Sequence, residues 1–383
     1  MRGHFSTTLE AVSPSSFSRL KDWGDGRQCP LPLLWRGVHP LPKGPKALMG
    51  DIVHHVMQHF SPGCSLDDLW NGKASEINLK LQANWISRGL YPIEKTASRY
   101  TLKKKLALAR LGNKNDSDVD DVNNYVQVVM RDDHLVESQD GKVRGKPDLV
   151  IQCGEDYTII DYKSGDIFED YPESGEQVIK GEYRLQLLIY AALLRENGKK
   201  IRNAVLQTID GKKEAVDLSH DEDILKQASA LLDRLNKKIS GLGSPIHLAL
   251  PSSANFSEGI WGCFGCGLRP VCSAYHARQA NPQQGEIWPK DFLGTLTEKT
   301  SGAEGISLQI ETQFHHRKHD VILTGGSDRH PALATLQKGD RVGIYNLKPF
   351  RGSYRESPQT CVYHYKENPS EEWQIHLDNL AET

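Results

Sequence analysis

Three residues of this chain have the types and spacing to carry out chemistry together. Asp148 stands in the run KPDLV, and Asp161 and Lys163 stand in TIIDYK. Residues i and i+2 of an extended strand point to the same face. Asp161 and Lys163 therefore project together while Tyr162 points away. A turn at Gly154-Glu155 makes the two runs a hairpin, so Asp148 can approach from the neighbouring strand. Two carboxylates on one surface suit a hard divalent cation, Mg2+ or Mn2+. Such a cation polarises a phosphate and generates a nucleophilic water. The ammonium can orient that water or offset charge developing on the phosphate. The set therefore suits phosphodiester hydrolysis. Taken alone, D…D-x-K also describes a half-buried salt bridge or a solvated strand end.

A second constellation is made of thiols. The seven cysteines are at 29, 64, 153, 263, 266, 272 and 361. An odd number, behind an N-terminus without a signal-type segment, argues against a disulfide scaffold. Cys263, Cys266 and Cys272 fall in GCFGCGLRPVC, and C-x2-C-x5-C offers three thiolates to one metal centre. A fourth ligand is needed, and Cys29, in QCPLPLLWRG, is the best candidate. Cys64, Cys153 and Cys361 read as ordinary cysteines.

The motifs around the carboxylates resemble the RecB-type branch of the PD-(D/E)xK nucleases. That branch carries G-x-x-D, then D-x-K-[ST]-G, then Q-x-x-x-Y on the next helix. Here these are Gly145 to Asp148, Asp161 to Gly165, and Gln186 with Tyr190, which as i and i+4 share a helix face. It also carries a helical histidine in a pattern like G-x-x-[VF]-H, here Gly50 to His54, with His55 and His59 as adjacent competitors. The resemblance covers roughly residues 12–276. It implies an α/β, restriction-endonuclease-like core with flanking helices and a Mg2+- or Mn2+-dependent deoxyribonuclease. It implies catalytic roles for Asp148, Asp161, Lys163, Gln186 and Tyr190, with His54 as a metal ligand beside Asp148 and Asp161. Gln186 and Tyr190 would line the site and touch the DNA strand; ordinary helix packing is their other reading. Some members, AddB-like and CRISPR-adaptation nucleases among them, place one cysteine before the domain and three after it around a [4Fe-4S] cluster. By that resemblance Cys29, Cys263, Cys266 and Cys272 hold a cluster that staples the two ends together. Zn2+ is the alternative, since four thiolates suit it equally. Cross-links over long loops constrain the unfolded chain most.

These groups need elements to position them. ALMGDIVHHVMQHF has Leu48, Ile52, Val56 and Phe60 at helical spacing and would carry His54. Residues 76–130 read as mostly helical, with a polar interruption at GNKNDSDVDD. HLVES, KPDLVIQ and DYTIIDYK read as short strands, and AVLQTID and AVDLS as further ones. YRLQLLIYAALLREN and HDEDILKQASALLDRLNKKISG read as helices ended by Gly198 and Gly241. From about residue 289 the chain reads as all-β. DFLGTLTEKT, GISLQIET, DVILTG, DRVGIYNL and TCVYHY are five strands, with a helix-like HPALATLQ between the third and fourth. That is the order of an OB-like barrel, a pattern that SH3-like barrels share. Lys348, Phe350, Arg351 and Tyr354 could combine phosphate contacts with base stacking on DNA. Solvated loops that contact protein are the other reading.

The expected division is a nuclease domain with the cysteine cluster over 1–280, an OB-like β domain over 289–370 and a tail over 371–383. With 38% hydrophobic and 25% charged residues, the chain reads as soluble and globular. A formal net charge of −2 means that any nucleic-acid partner must be met by local positive charge. No apolar run approaches the length of a bilayer span, and MRGHFSTTLE has no signal-peptide segment. The expectation is a cytoplasmic protein without a membrane partner. No Walker A motif is present, so unwinding would fall to a separate helicase. The expected function is cleavage of single-stranded or end-bearing DNA in repair, recombination or anti-phage defence. Two alternatives stay open. One is a non-catalytic DNA-binding or scaffolding subunit of a helicase–nuclease complex, against which an intact Asp148, Asp161 and Lys163 argue. The other is an RNA-processing nuclease.

Overall fold

A computed structural model of the protein describes all residues except 1–3, 25–28, 37–39, 61–62, 85, 98, 113–125, 132–133, 170–176, 210, 220–222, 242–262, 285, 313–315 and 366–383. The tail expected over 371–383 and most of the GNKNDSDVDD run lie outside the described residues.

The β-type runs assemble into a five-stranded sheet. Its strands are β1 (Val126–Arg131), β2 (Leu149–Cys153), β3 (Asp156–Lys163), β4 (Lys200–Thr208) and β5 (Lys213–Ala215), side by side in that order. β2 and β3 form the expected hairpin, turned at Gly154 with φ 63°. Glycine enters that left-handed region without the Cβ clash other residues meet. β3 and β4 are parallel, which requires a crossover, and a helix supplies it.

The helices are α1 (Phe17–Gly24), α2 (Pro45–His59), α3 (Leu66–Ala83), α4 (Tyr100–Gly112), α5 (Gly181–Glu196), which is the crossover, α6 (Ile224–Ser240) and α7 (Ser273–Ala280). Strand alternation sends Val150, Ile159, Ala204 and Leu206 to one face of the sheet, under α1, α5 and α6. Leu149, Ile160 and Tyr162 go to the other, under α2, α3 and α4. Asp161 and Lys163 share the Ile159 face and look toward α5. The sheet is thus covered on both faces.

The C-terminal strands are β6 (Lys290–Gly302), β7 (Gly305–Thr312), β8 (Lys318–Leu323), β9 (Arg341–Phe350), β10 (Ser353–Arg355) and β11 (Cys361–His364). They run in the order β6-β7-β8-β10-β9-β11, and β6 also pairs with β9. The first five therefore close on themselves around Leu296, Leu308, Val321, Leu333 and Ile344. Two short helical turns, Gly326–Arg329 and Ala332–Thr335, stand between β8 and β9.

Some expectations change. β1 falls inside the stretch read as mostly helical; its valines favour a strand once β2 offers an edge to pair with. HLVES contributes only Val136–Glu137, and AVDLS is not a strand beyond Ala215. β10 was not expected at all. It is three residues long, too short for a periodicity signal, yet its parallel pairing with β8 closes the barrel.

The barrel and the nuclease-like region share an apolar core. Leu31, Trp35, Leu268 and Val271 pack with Tyr275, Trp288, Tyr345 and Tyr363 in one cluster. At its centre Arg269 forms a buried ion pair of 2.5 Å with Asp291 on β6. Asp291 also accepts a hydrogen bond from the Tyr275 hydroxyl (2.8 Å), and Arg269 donates to Asn346 Oδ1 on β9 (2.6 Å).

Candidate active site

The hairpin register brings the two acids together. Leu149 pairs with Ile160 at the end of the β2–β3 ladder, and one step further along the same register sets Asp148 opposite Asp161. Asp161 is 2% exposed. Its Oδ1 accepts from Gln186 Nε2 at 3.0 Å, and its Oδ2 lies 2.6 Å from Lys163 Nζ. That Oδ2 has an ion-pair partner but no hydrogen bond of proper geometry. Lys163 Nζ in turn donates to Gln186 Oε1 at 3.0 Å and lies 4.5 Å from the centre of the Tyr183 ring. Gln186 therefore holds acid and base in one fork, from a helix whose other face is sunk in the core.

Asp148 is oriented from two sides. Its Oδ2 accepts the Tyr162 backbone N–H at 2.7 Å, and its Oδ1 accepts Gln58 Nε2 at 3.2 Å. His54 Nδ1 lies 3.6 Å from Oδ2. His54 and Gln58 are i and i+4 on α2, so one helix face meets the carboxylate. The competing histidines are occupied with each other. His55 and His59 rings lie 4.3 Å apart, and His59 Nδ1 is 2.8 Å from the His55 carbonyl oxygen.

Both motif glycines have packing reasons. A Cβ at Gly145 would come within 2.6 Å of Pro14 and 3.0 Å of the Tyr190 ring. A Cβ at Gly50 would come within 3.3 Å of Ser164 Oγ, so that α2 lies tight against the end of β3. Tyr190 itself is buried, and its hydroxyl donates to the Lys146 carbonyl at 2.7 Å. It braces the chain two residues before Asp148.

Electrostatics follow burial. The Asp161 carboxyl is pushed up, to about 6, chiefly by burial; Lys163 opposes the rise and the like charge of Asp148 adds to it. Burial also pushes the Tyr183 hydroxyl up to about 12 and the Tyr190 hydroxyl higher still. Beside the acids opens a cleft of about 670 Å³, with His54, Gln58 and Asp148 at one wall and Lys43, Lys73 and Lys80 among the other lining residues. Gln58 and Tyr183 were not expected. Their only sequence signal is spacing, four residues after His54 and three before Gln186.

Residues 14–273, more than half of the chain, match the family model described as PD-(D/E)XK nuclease superfamily. The chain belongs to that superfamily. It is a nuclease of a family that works with metal ions, generally Mg2+ or Mn2+. Among solved structures, the nuclease is similar to a Eubacterium rectale protein provisionally described as an exonuclease. The two are 12% identical, with a TM-score of 0.38 over 61% of this chain and 82% of that one. No curated protein matches the chain in sequence.

As the side chains stand, no group of three or more His, Cys, Asp or Glu among the described residues is arranged to hold a metal ion. At the acids, the Lys163 ammonium lies against the buried Oδ2. At the cysteines, the four expected thiols pack around one apolar cluster with Leu31, Leu268 and Val271. None of the seven cysteines forms a disulfide. Burial pushes the Cys266 thiol up to about 11 and the Cys272 thiol higher, and Cys29 lies near enough to add to both. Leu268 N–H donates to Cys266 Sγ at 3.4 Å. Cys64 and Cys153 are exposed elsewhere, whereas Cys361 joins the same cluster, its Sγ 3.8 Å from the Ile86 carbonyl oxygen.

On the barrel, Lys348 and Arg351 are exposed. The Phe350 ring lies beside two cations, with the guanidinium carbons of Arg355 and Arg351 at 4.9 and 5.4 Å from its centre. Tyr354 is turned differently. It packs edge-on against Phe292, with ring centres 4.6 Å apart, and lies close to His319.

Proposed function

We propose that this nuclease hydrolyses phosphodiester bonds of DNA, single-stranded or with free ends, with Mg2+ or Mn2+. One observation carries the reading. A buried carboxylate, with one oxygen lacking a hydrogen bond, faces a second carboxylate across a hairpin, ringed by His54, Lys163 and Gln186. By donor type, Asp148, Asp161 and His54 suit a hard cation, and they would hold it. When bound, the cation supplies Lewis acidity toward the phosphate and the attacking water. The side chains supply the rest. Lys163, held by Gln186, places a positive charge where the phosphate gains negative charge. The Tyr162 N–H and Gln58 fix the plane of Asp148, and Tyr190 fixes the segment that carries it.

The reading extends to the cysteines and the barrel. Cys29, Cys263, Cys266 and Cys272 would hold a [4Fe-4S] cluster, with Zn2+ as the alternative, and the group would cross-link the two ends of the domain. Their shared apolar cluster and the backbone N–H on Cys266 support this, since ligand thiolates are commonly hydrogen-bonded in this way. The closed order β6-β7-β8-β10-β9, with its single parallel pair, supports an OB-like barrel that guides a single strand. Lys348, Phe350 and Arg351 would make the contact. A separate helicase would supply unwinding, in repair, recombination or defence against phage.

The test uses full-length protein purified without oxygen, with Mg2+ or Mn2+. The substrates are end-labelled and circular DNA, single- and double-stranded, and RNA of matching sequence. Cleavage of single-stranded or end-bearing DNA, abolished by Asp161→Ala, is expected. Equal cleavage by that variant would refute the site. Cleavage of RNA alone would favour an RNA-processing enzyme, and binding without cleavage a scaffolding subunit.

A further inference from the structure

One stripe of α2 runs past the candidate active site at four-residue spacing: Lys46, Gly50, His54, Gln58. Gln58 and His54 meet Asp148, and Gly50 lies against Ser164, the residue after Lys163. Lys46 is one turn further on. From the other side, Lys103 of α4 donates its ammonium to the Ser164 carbonyl at 3.0 Å. Arg99 lies one turn before Lys103, and its carbonyl accepts the Lys103 N–H at 2.9 Å. Arg99 is held at φ 62°, a left-handed backbone that a non-glycine residue adopts only at a cost.

Three cations thus gather at the end of the catalytic strand. The charges felt most by the half-buried Lys103 are Lys46 and Arg99, both of the same sign. Burial, and after it these like charges, hold its ammonium below the ordinary lysine value. Among the described residues no carboxylate forms an ion pair with Lys103 or Arg99. Nearer the cleft, Lys43 pairs with Asp51, and Lys73 and Lys80 pair with Glu76. A half-buried ammonium beside like charges is a favourable place for an anion.

We infer that Lys46, Arg99 and Lys103 form a phosphate subsite for the nucleic-acid strand, taking the phosphate next to the one that would be cleaved at Asp148, Asp161 and Lys163. The inference rests on the nuclease reading above and names how that site would grip its substrate. Ser164 connects the two sites. Its backbone anchors Lys103, and the preceding residue is Lys163, so the bound phosphate would set the strand's register over the acids. The phosphate could be an internal diester or a 5′-terminal monoester.

The experiment uses the full chain carrying Asp161→Asn to prevent cleavage. Binding to a labelled single-stranded oligonucleotide, with either a 5′-phosphate or a 5′-hydroxyl, is followed across a salt series. Lys46→Ala, Arg99→Ala and Lys103→Ala together should lower the salt slope by about 0.7, the single-strand value for one phosphate contact, or about fivefold in affinity at roughly 0.1 M salt, and each alone should give part of that loss. The melting temperature should stay level or rise, because a repulsive charge is removed. A loss confined to the 5′-phosphorylated strand assigns the terminal monoester; an equal loss on both assigns an internal diester. Unchanged slope and affinity on both strands would overturn the subsite while the cleavage result stands. If the parent binds neither strand, both readings fall together.

Discussion

Asp161 is placed at a cost to the fold, and Asp161→Asn measures that cost. Burial, opposed by Lys163, pushes the carboxyl up from the ordinary 3.8 to about 6. That rise corresponds to about 3 kcal/mol, at roughly 1.36 kcal/mol per tenfold change in proton affinity. That figure already includes the lost attraction to Lys163, since a protonated acid lacks it too. Asparagine has the shape of the protonated acid without its charge. The native-state value lies above the unfolded one, so the native state binds the proton more tightly. The group therefore favours folding most below about pH 4, and that contribution is lost as the pH rises through about 6. In metal-free buffer the variant and the parent should match in stability near pH 4. By about pH 8 the variant should be more stable by about 3 kcal/mol. Guanidinium unfolding at several pH values reads the difference directly. Added Mg2+ should stabilise the parent and not the variant, and the variant should not cleave. A variant no more stable than the parent at high pH, or a gap that does not change with pH, would refute the assignment of Asp161 as a strained, buried acid.

Other outcomes follow from the same geometry. Protein purified without oxygen should be brown and contain iron and acid-labile sulfide. Cys29→Ser, Cys263→Ser, Cys266→Ser and Cys272→Ser should each lose the colour, and Cys64→Ser should keep it; a colourless native protein with stoichiometric zinc would replace iron by zinc on the same ligands. Asp291→Ala leaves the Arg269 guanidinium buried without its counter-ion and should cost about 3–5 kcal/mol in thermal or chemical unfolding; a neutral result would mean that the barrel is not seated through this pair. Phe350→Ala should weaken single-strand binding by roughly 1–3 kcal/mol with the melt unchanged. Tyr354→Ala should lower the melt instead, because its ring packs on Phe292; the opposite pattern would exchange their roles.

What was legible in the sequence was local. The i, i+2 alternation put Asp161 and Lys163 on one face, and the Gly154 turn set Asp148 opposite, because strand pitch and turn chemistry depend on neighbouring residues alone. The i, i+4 spacing put Gln186 and Tyr190 on one face of a helix for the same reason. Which neighbours those faces meet was decided by packing across long separations. Gln186 grips Asp161 and Lys163, whereas Tyr190 turns inward to the Lys146 carbonyl. His54 meets Asp148 because Gly50 lets α2 lie close against Ser164, and Gln58 comes with it from the same helix face. β1 looked helical until β2 offered an edge, and the three residues of β10 carry no period to read. The cysteine pattern could be counted in the sequence. That Arg269, between two of those cysteines, is buried against Asp291 of the barrel emerges only when segments distant in the chain fold onto one core.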